Sequence, residues 1–299
     1  MLPEHDIVVF GGGGTRGIAF AGALEALRRH GLDWGLRCPR LSTAAGCSIG
    51  AMTALLIVLG FSAHEIGQLV LNTPFDRLVS LDPMQMLRVV TEGSLGLDPG
   101  HTLRDWLATQ ISRKTTCDSG QARRLTLGEL KVKTGMNLVC VATRLDTRGA
   151  FVLSSEATPD VPVVDAVQAS MALPPLFQPV DVQGVLCSDG GIVNNFPIEL
   201  FDESRVFGIR LTSTPQTIAD VQGMRLPLIG FVNFVLRILT STNDESSFAA
   251  LSPALRRRII TIACGKVSTI ESDVDAVKGL LFDAGLRCAE SFVGTKTNG

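Results

Sequence analysis

The stretch Gly46-Cys47-Ser48-Ile49-Gly50 sets a serine among small residues in a GxSxG pattern. Glycines two positions to either side permit a sharp strand-to-helix turn, which exposes the hydroxyl and aims the helix N-terminus at the atom it attacks. The chemistry on offer is nucleophilic. A serine hydroxyl is a weak nucleophile at neutral pH and requires a neighbouring base. In an α/β-hydrolase that base is a histidine, reached in the chain order serine, acid, histidine. Here there are 4 histidines, and only His64 and His101 follow Ser48. A carboxylate therefore has to be considered. Ser188-Asp189-Gly190-Gly191 supplies one, because Asp189 closes the apolar run from Val185 to Cys187. The end of a buried strand is where α/β sheets present ligand-binding side chains. Taken singly, Asp-Gly-Gly also suits an ordinary turn.

A second feature comes earlier, at Gly11-Gly12-Gly13-Gly14-Thr15-Arg16-Gly17. Glycines let N–H groups converge without side-chain obstruction, and the helix that follows adds its positive end, so the loop suits an anionic oxygen. Positions 12, 14 and 17 also satisfy the GxGxxG spacing of a dinucleotide site. Such a site needs an acid closing its second strand about 20 residues further on. The run from Leu41 to Ala45 leads instead into Gly46 and Cys47. A dinucleotide-binding oxidoreductase is thus the weaker alternative, and the GKS or GKT ending of a phosphate P-loop is missing.

These groups need a scaffold, and the apolar pattern describes one. Ile7 to Phe10 reads as a buried strand ending in glycines, and Ile18 to His30 has helical spacing; Leu41 to Ala45 followed by Ile49 to Leu59 repeats that grammar. Ser62 with Glu65 predicts a capping box that opens a helix to about Asn72, and Thr102 with Asp105 predicts a similar start for Leu103 to Ile111. Thr91 to Gly100 and Lys114 to Arg124 are expected to be loop and exposed connection. Asn137 to Thr143, Ala150 to Ser154, Val185 to Ser188, Val206 to Leu211 and Ile259 to Ala263 complete the strand candidates. Val163 to Met171 and Val274 to Phe292 are helical. No repeat or linker interrupts the chain, so the expectation is one α/β domain with helices on both faces of the sheet.

Composition narrows the partners. Over 299 residues, 27 Lys and Arg oppose 29 Asp and Glu, a net charge of −2 that argues against a nucleic-acid surface. Hydrophobic residues make up 45% and charged residues 19%, so some apolar surface is expected to meet lipid or a partner. No run reaches the roughly 18–20 apolar residues of a membrane span. The acidic start lacks the features of a secretory signal, which points to a cytoplasmic protein. The 7 cysteines are scattered without a CxxC pair, so reduced core thiols are expected, with neither disulfides nor a metal site. Leu226 to Leu239 is either an interfacial helix or a core helix. Arg123-Arg124 and Arg256-Arg257-Arg258 are solvated faces unless they meet lipid headgroups.

Taken together, the glycine loop with Arg16 and Gly17, the early GxSxG and the late DGG followed by Asn195-Phe196-Pro197 resemble the patatin-like phospholipase family, a group of lipid acyl hydrolases. Asp165 to Ser170 leading to Leu173-Pro174, and the strand ending in Ala142-Thr143, add to the likeness. It covers about Ile7 to Leu211 within a single domain of residues 1–299, and residues 212–299 are the least family-like. The resemblance implies a three-layer sandwich around a mostly parallel sheet. It implies Ser48 as nucleophile and Asp189 as base, with Gly46, Cys47, Ile49 and Gly50 forming the elbow and Gly190 and Gly191 completing the DGG motif. The oxyanion hole falls on Gly12, Gly13, Gly14, Thr15, Arg16 and Gly17, with Gly13 and Gly14 the principal donors. Gly11 departs from the polar residue many relatives carry. The implied substrate is a phospholipid or related acyl lipid met at a membrane surface, and no cofactor is implied. A lipid-binding or regulatory protein that keeps the fold without turnover is the alternative. The acid limb of activity is expected to follow a carboxylate raised by burial and not an imidazole near 6.5.

Overall fold

Short apolar and β-branched runs become strands because both faces of the sheet they form are covered, so polar alternation is not required. The computed structural model describes residues 5–34, 40–74, 78, 95–214, 227–269, 271 and 273–297. The strands are Ile7–Phe10 (β1), Thr43–Cys47 (β2), Asn137–Arg144 (β3), Ala150–Ser154 (β4), Val180–Val182 (β5), Val185–Asp189 (β6), Val206–Thr212 (β7) and Ile259–Ala263 (β8). They form one sheet in the order β5-β6-β3-β2-β1-β7-β8, with β4 paired to β3. β3-β2-β1-β7-β8 run parallel, whereas β4 and β6 pair with β3, and β5 with β6, antiparallel.

The register of β3 decides where the site lies. Val139 to Thr143 pair with β4 along one edge. On the opposite edge, Asn137 to Val141 pair with β2, and Ala142 to Arg144 pair with β6. β2 and β6 therefore meet end to end against one strand, with Cys47 opposite Val141 and Asp189 opposite Ala142.

Helices cover both faces. On one side Ile18–Arg29 (α1), Ile49–Val58 (α2), Ala63–Asn72 (α3), His101–Lys114 (α4), Val163–Met171 (α7) and Val274–Thr297 (α10) pack with Phe10, Leu138, Cys140, Phe207 and Ile260 into the main core. Every residue of α2 is buried, as expected for a helix apolar all round. On the other side Val9, Ala45, Val139 and Ile259 pack under Phe196, Ile198 and Leu255 of Pro253–Arg256 (α9), with Phe248 from Pro227–Ala250 (α8).

The Ser62–Glu65 capping box forms as expected. The Thr102–Asp105 cap does not: α4 starts at His101 after Gly100, whose φ is 79°, and Asp105 pairs with Arg123 instead. Within the expected connection 114–124, Ser119–Arg124 (α5) is helical, opened by an Asp118–Gln121 capping box. Leu127–Thr134 (α6) likewise starts from a Thr126–Glu129 box. In the expected loop from Thr91, residues 91–94 lie outside the described ones, and Leu95 to Gly100 carry only a bridge from Asp98 to Phe177. The stretch from Leu226 to Leu239 opens α8; there Val235 and Ile238 are 38% and 50% exposed. Leu226 itself and the side chains of 227–233, 236, 237 and 239 lie outside the described residues. No helix among the described residues is long and apolar enough to cross a membrane.

Candidate active site

Ser48 sits where β2 breaks into α2, and its backbone shows the cost of that turn: φ is 56° and ψ −125°. A non-glycine residue in such a conformation stores about 1–3 kcal/mol and persists only where its surroundings over-determine it. The restraints are visible. The Ser48 carbonyl accepts from the N–H groups of Ala51 at 2.9 Å and Met52 at 3.2 Å. Its own N–H donates to Ser170 Oγ at 2.9 Å. The elbow also presses on its neighbours, since a Cβ on Gly50 would fall 2.4 Å from the Phe10 carbonyl oxygen and one on Gly46 would fall 2.3 Å from the Gly50 carbonyl carbon. Ser48 itself is partly exposed while Cys47, Ile49 and Gly50 are buried, so within the elbow solvent reaches the serine.

Asp189 ends β6 at the abutment with β2 and is 3% exposed. Its backbone is fixed on both sides: its N–H donates to the Ala172 carbonyl at 2.9 Å, and its carbonyl accepts from Thr143 Oγ1 at 2.8 Å. Oδ1 accepts from the Gly191 N–H at 2.8 Å and, more weakly, from the Cys47 thiol at 3.9 Å. Burial pushes the carboxyl up to about 6, while its interactions with the Ser48 side chain, the Gly191 N–H and the Cys47 thiol pull the other way. A carboxylate held near neutrality and hard to solvate is suited to taking a proton. The Cys47 thiol is pushed well above its ordinary range by burial and by the Asp189 charge, so it stays protonated and donates. Gly190 has no room for a side chain, since a Cβ would lie 2.1 Å from the Val141 carbonyl oxygen.

The glycine loop follows β1 and comes up against Ser48. A Cβ on Gly12 would stand 3.4 Å from Ser48 Cβ. Its donors divide into spent and open. Gly12 N–H donates to the Asn195 carbonyl at 2.8 Å, Thr15 N–H to the Thr269 carbonyl at 2.8 Å, and Arg16 N–H to the Gly13 carbonyl at 3.3 Å. No described residue accepts from the N–H of Gly13 or Gly14. From Gly12 to Arg16, these are the two N–H groups left without a described acceptor. Gly17 opens α1 where a side chain would strike Ile49, 2.3 Å from its Cγ1. Arg16 braces the loop, with Nε on the Gly13 carbonyl at 3.1 Å and Nη2 on Thr269 Oγ1 at 3.1 Å.

Three contributors had no role assigned to them from the sequence. Ser170 belongs to the stretch that carried the resemblance, without a role of its own. Asn195 follows the DGG and wedges its side chain between the glycine loop and Gly191: Oδ1 lies 2.3 Å from a Cβ built on Gly12 and 3.0 Å from one on Gly191. Thr269 comes from the distant region after β8, where no sequence signal marks it. The two arginine runs stay peripheral: Arg124, Arg256 and Arg257 are exposed, Arg123 pairs with Asp105, and Arg258 reaches the Glu203 carbonyl. Among the described residues no group of His, Cys, Asp and Glu is arranged to hold a metal ion.

A family model described as patatin-like phospholipase matches residues 8–202. An uncharacterized protein of Bacillus subtilis, YqhO, is 32% identical over 221 residues, which are 68% of this chain and 70% of its own. A probable lipid hydrolase, 463L of Invertebrate iridescent virus 6, is 27% identical over 196 residues, 66% of this chain and 63% of that one. Among solved structures, VipD from Legionella pneumophila superposes with a TM-score of 0.56 at 19% identity, over 97% of this chain and 67% of VipD. Full-length ExoU from Pseudomonas aeruginosa, in complex with SpcU, gives a TM-score of 0.53 at 16% identity. The match covers 98% of this chain and 53% of that one, so the chain spans about half of ExoU. At such identities the two structures speak to the fold.

Proposed function

Because this chain belongs to the patatin-like phospholipase family, we propose that it is a lipid acyl hydrolase working through a Ser48–Asp189 dyad. The observation that carries the proposal is the abutment of β2 and β6 on β3, which brings a strained, partly exposed serine beside a buried carboxylate. Ser48 Oγ attacks the ester carbonyl while Asp189 takes its proton. Negative charge gathers on the carbonyl oxygen, where the Gly13 and Gly14 N–H groups and the N-terminal end of α2 stabilise it. The protonated Asp189 then delivers its proton to the leaving alcohol, leaving an acyl group on Ser48. In the second half, Asp189 draws a proton from water as that water attacks the acyl-enzyme, then returns the proton to Ser48 Oγ as the fatty acid departs. No step calls on an imidazole.

The substrate we assign is a phospholipid or related acyl lipid, met by a cytoplasmic protein at a membrane surface. Support comes from the family, from the relative named a probable lipid hydrolase, and from the exposed Val235 and Ile238 on α8. A fluorophosphonate probe tests the dyad. Wild-type protein should label, and Ser48→Ala should abolish labelling with the melting temperature preserved. Mass spectrometry of a mixed lipid extract incubated with the protein should show free fatty acid and lysolipid appearing with wild type alone. A folded wild type that neither labels nor releases fatty acid would overturn the proposal in favour of a silent lipid-binding protein.

A further inference from the structure

The last turn of α7 and the residue after it grip both members of the dyad. At its end, the Ala172 carbonyl accepts the Asp189 N–H at 2.9 Å. Two residues earlier, Ser170 is fully buried, and its Oγ accepts the Ser48 N–H at 2.9 Å while donating to the Val141 carbonyl at 2.6 Å. The direction of these bonds is unambiguous, because a carbonyl cannot donate; the hydroxyl proton points at Val141 and a lone pair at Ser48. Val141 pairs with Cys47, and its neighbour Ala142 pairs with Asp189. One hydroxyl thus ties the nucleophile to the point on β3 where β2 ends and β6 begins.

The mount is itself rigid. Gln168, on the same helix, donates from Nε2 to the Pro99 carbonyl at 2.9 Å and accepts from Arg104 at 2.7 Å. On the far side of the elbow, the Ser48 carbonyl is committed to Ala51 and Met52. Without the Ser170 hydroxyl the Ser48 N–H loses its described acceptor, which frees a backbone at φ 56° to relax toward commoner angles.

We infer that Ser170 is a positioning residue, which never touches substrate but sets the aim of Ser48 at the reacting carbon by holding the elbow to β3. In its catalytic consequence this rests on the hydrolase function proposed above; in its structural content it does not. A misplacement near 1 Å at a reacting atom costs on the order of 100-fold in rate. Ser170→Ala should therefore lower kcat on a soluble ester by about 10- to 100-fold with KM within about twofold, because ground-state binding is untouched. Ser170→Cys, which keeps a weak donor and acceptor in nearly the same volume, should fall between the two and covers the case of an alanine variant that fails to fold. Ser154→Ala is the control: it removes another buried hydroxyl, one that accepts from the Ala157 N–H at 3.1 Å away from the site, and should change melting temperature and not kcat.

Amide hydrogen exchange at Ser48, followed by NMR on the full chain, reads the restraint without any turnover. Exchange should be faster in the Ser170 variants than in wild type or Ser154→Ala. Two results would overturn the assignment: Ser170→Ala with kcat within about twofold of wild type, or unchanged exchange at the Ser48 N–H in folded variants. Wild-type protein inert to ester and probe would instead sink the hydrolase function, and exchange would still decide whether Ser170 holds the elbow.

Discussion

Asp189→Asn should abolish turnover and, at neutral pH, stabilise the protein. The carboxyl moves from 3.8 to about 6 on folding, with burial as the largest cause. A gap of about two pKa units at about 1.4 kcal/mol each is roughly 3 kcal/mol of ionisation cost carried by the folded state. The amide keeps an Oδ1 that accepts the Gly191 N–H, now at 2.8 Å. Its new NH2 group faces the Ser48 oxygen, a weaker partner for it than water, which takes back part of the gain. The net expectation is about 1–3 kcal/mol in favour of the variant.

The pH dependence fixes the sign. Below about pH 4 the carboxyl is protonated in folded and unfolded chains alike, so the two proteins should match. Between about 4 and 6 the unfolded chain releases its proton and the folded one does not, so wild-type stability falls as pH rises. Above about 6 the gap is constant. Thermal melts followed by circular dichroism at about pH 4, 6 and 8 give the assay, with a shift of about 2–4 °C per kcal/mol. A variant no more stable than wild type at pH 8, or a gap that does not open with rising pH, would refute a desolvated carboxylate at this position.

With Asp189 as the proposed base, its burial should put the acid limb of kcat/KM near 6, close enough to imidazole that the pH profile alone would not separate a carboxylate base from a histidine. Replacing His5, His30, His64 and His101 together does separate them: labelling should stay within a few-fold of wild type with an unmoved acid limb, and a folded variant that lost it would count against the dyad. Gly14→Ala forces a side chain onto φ 56° and to within 2.1 Å of the Thr269 carbonyl oxygen. Displacing an oxyanion donor in this way should slow labelling by about 10²–10³-fold. Arg210 is 2% exposed, bonded to Asp244 at 3.1 Å and Glu245 at 2.8 Å, and stacked 4.1 Å from the Phe248 ring centre. Arg210→Met should cost about 3–5 kcal/mol by leaving Asp244 buried without its cation, and Arg210→Met with Asp244→Leu should recover much of the melting temperature.

The sequence by itself marked most of the elements and nominated the candidate reactive groups. Apolar runs bounded by glycine mark β1 and β2, the all-apolar stretch after Ser48 marks α2, and small residues at 46 and 50 announce a turn that tolerates no side chain there. It missed α5 and α6, whose Asp118–Gln121 and Thr126–Glu129 boxes are local signals left unread, and the three-residue β5, too short to show a period. Tertiary structure decided what brings Ser48 and Asp189 together. No local pattern encodes that β6 runs antiparallel and docks where β2 leaves the edge of β3, since that pairing depends on strands 142 residues apart finding one shared edge. The resemblance singled out Gly13 and Gly14 as donors, but why Gly12 and Thr15 are spent was equally hidden, because the acceptors that occupy them come from Asn195 and Thr269. Spacing can propose a donor, but only packing shows whether a remote carbonyl has already claimed it.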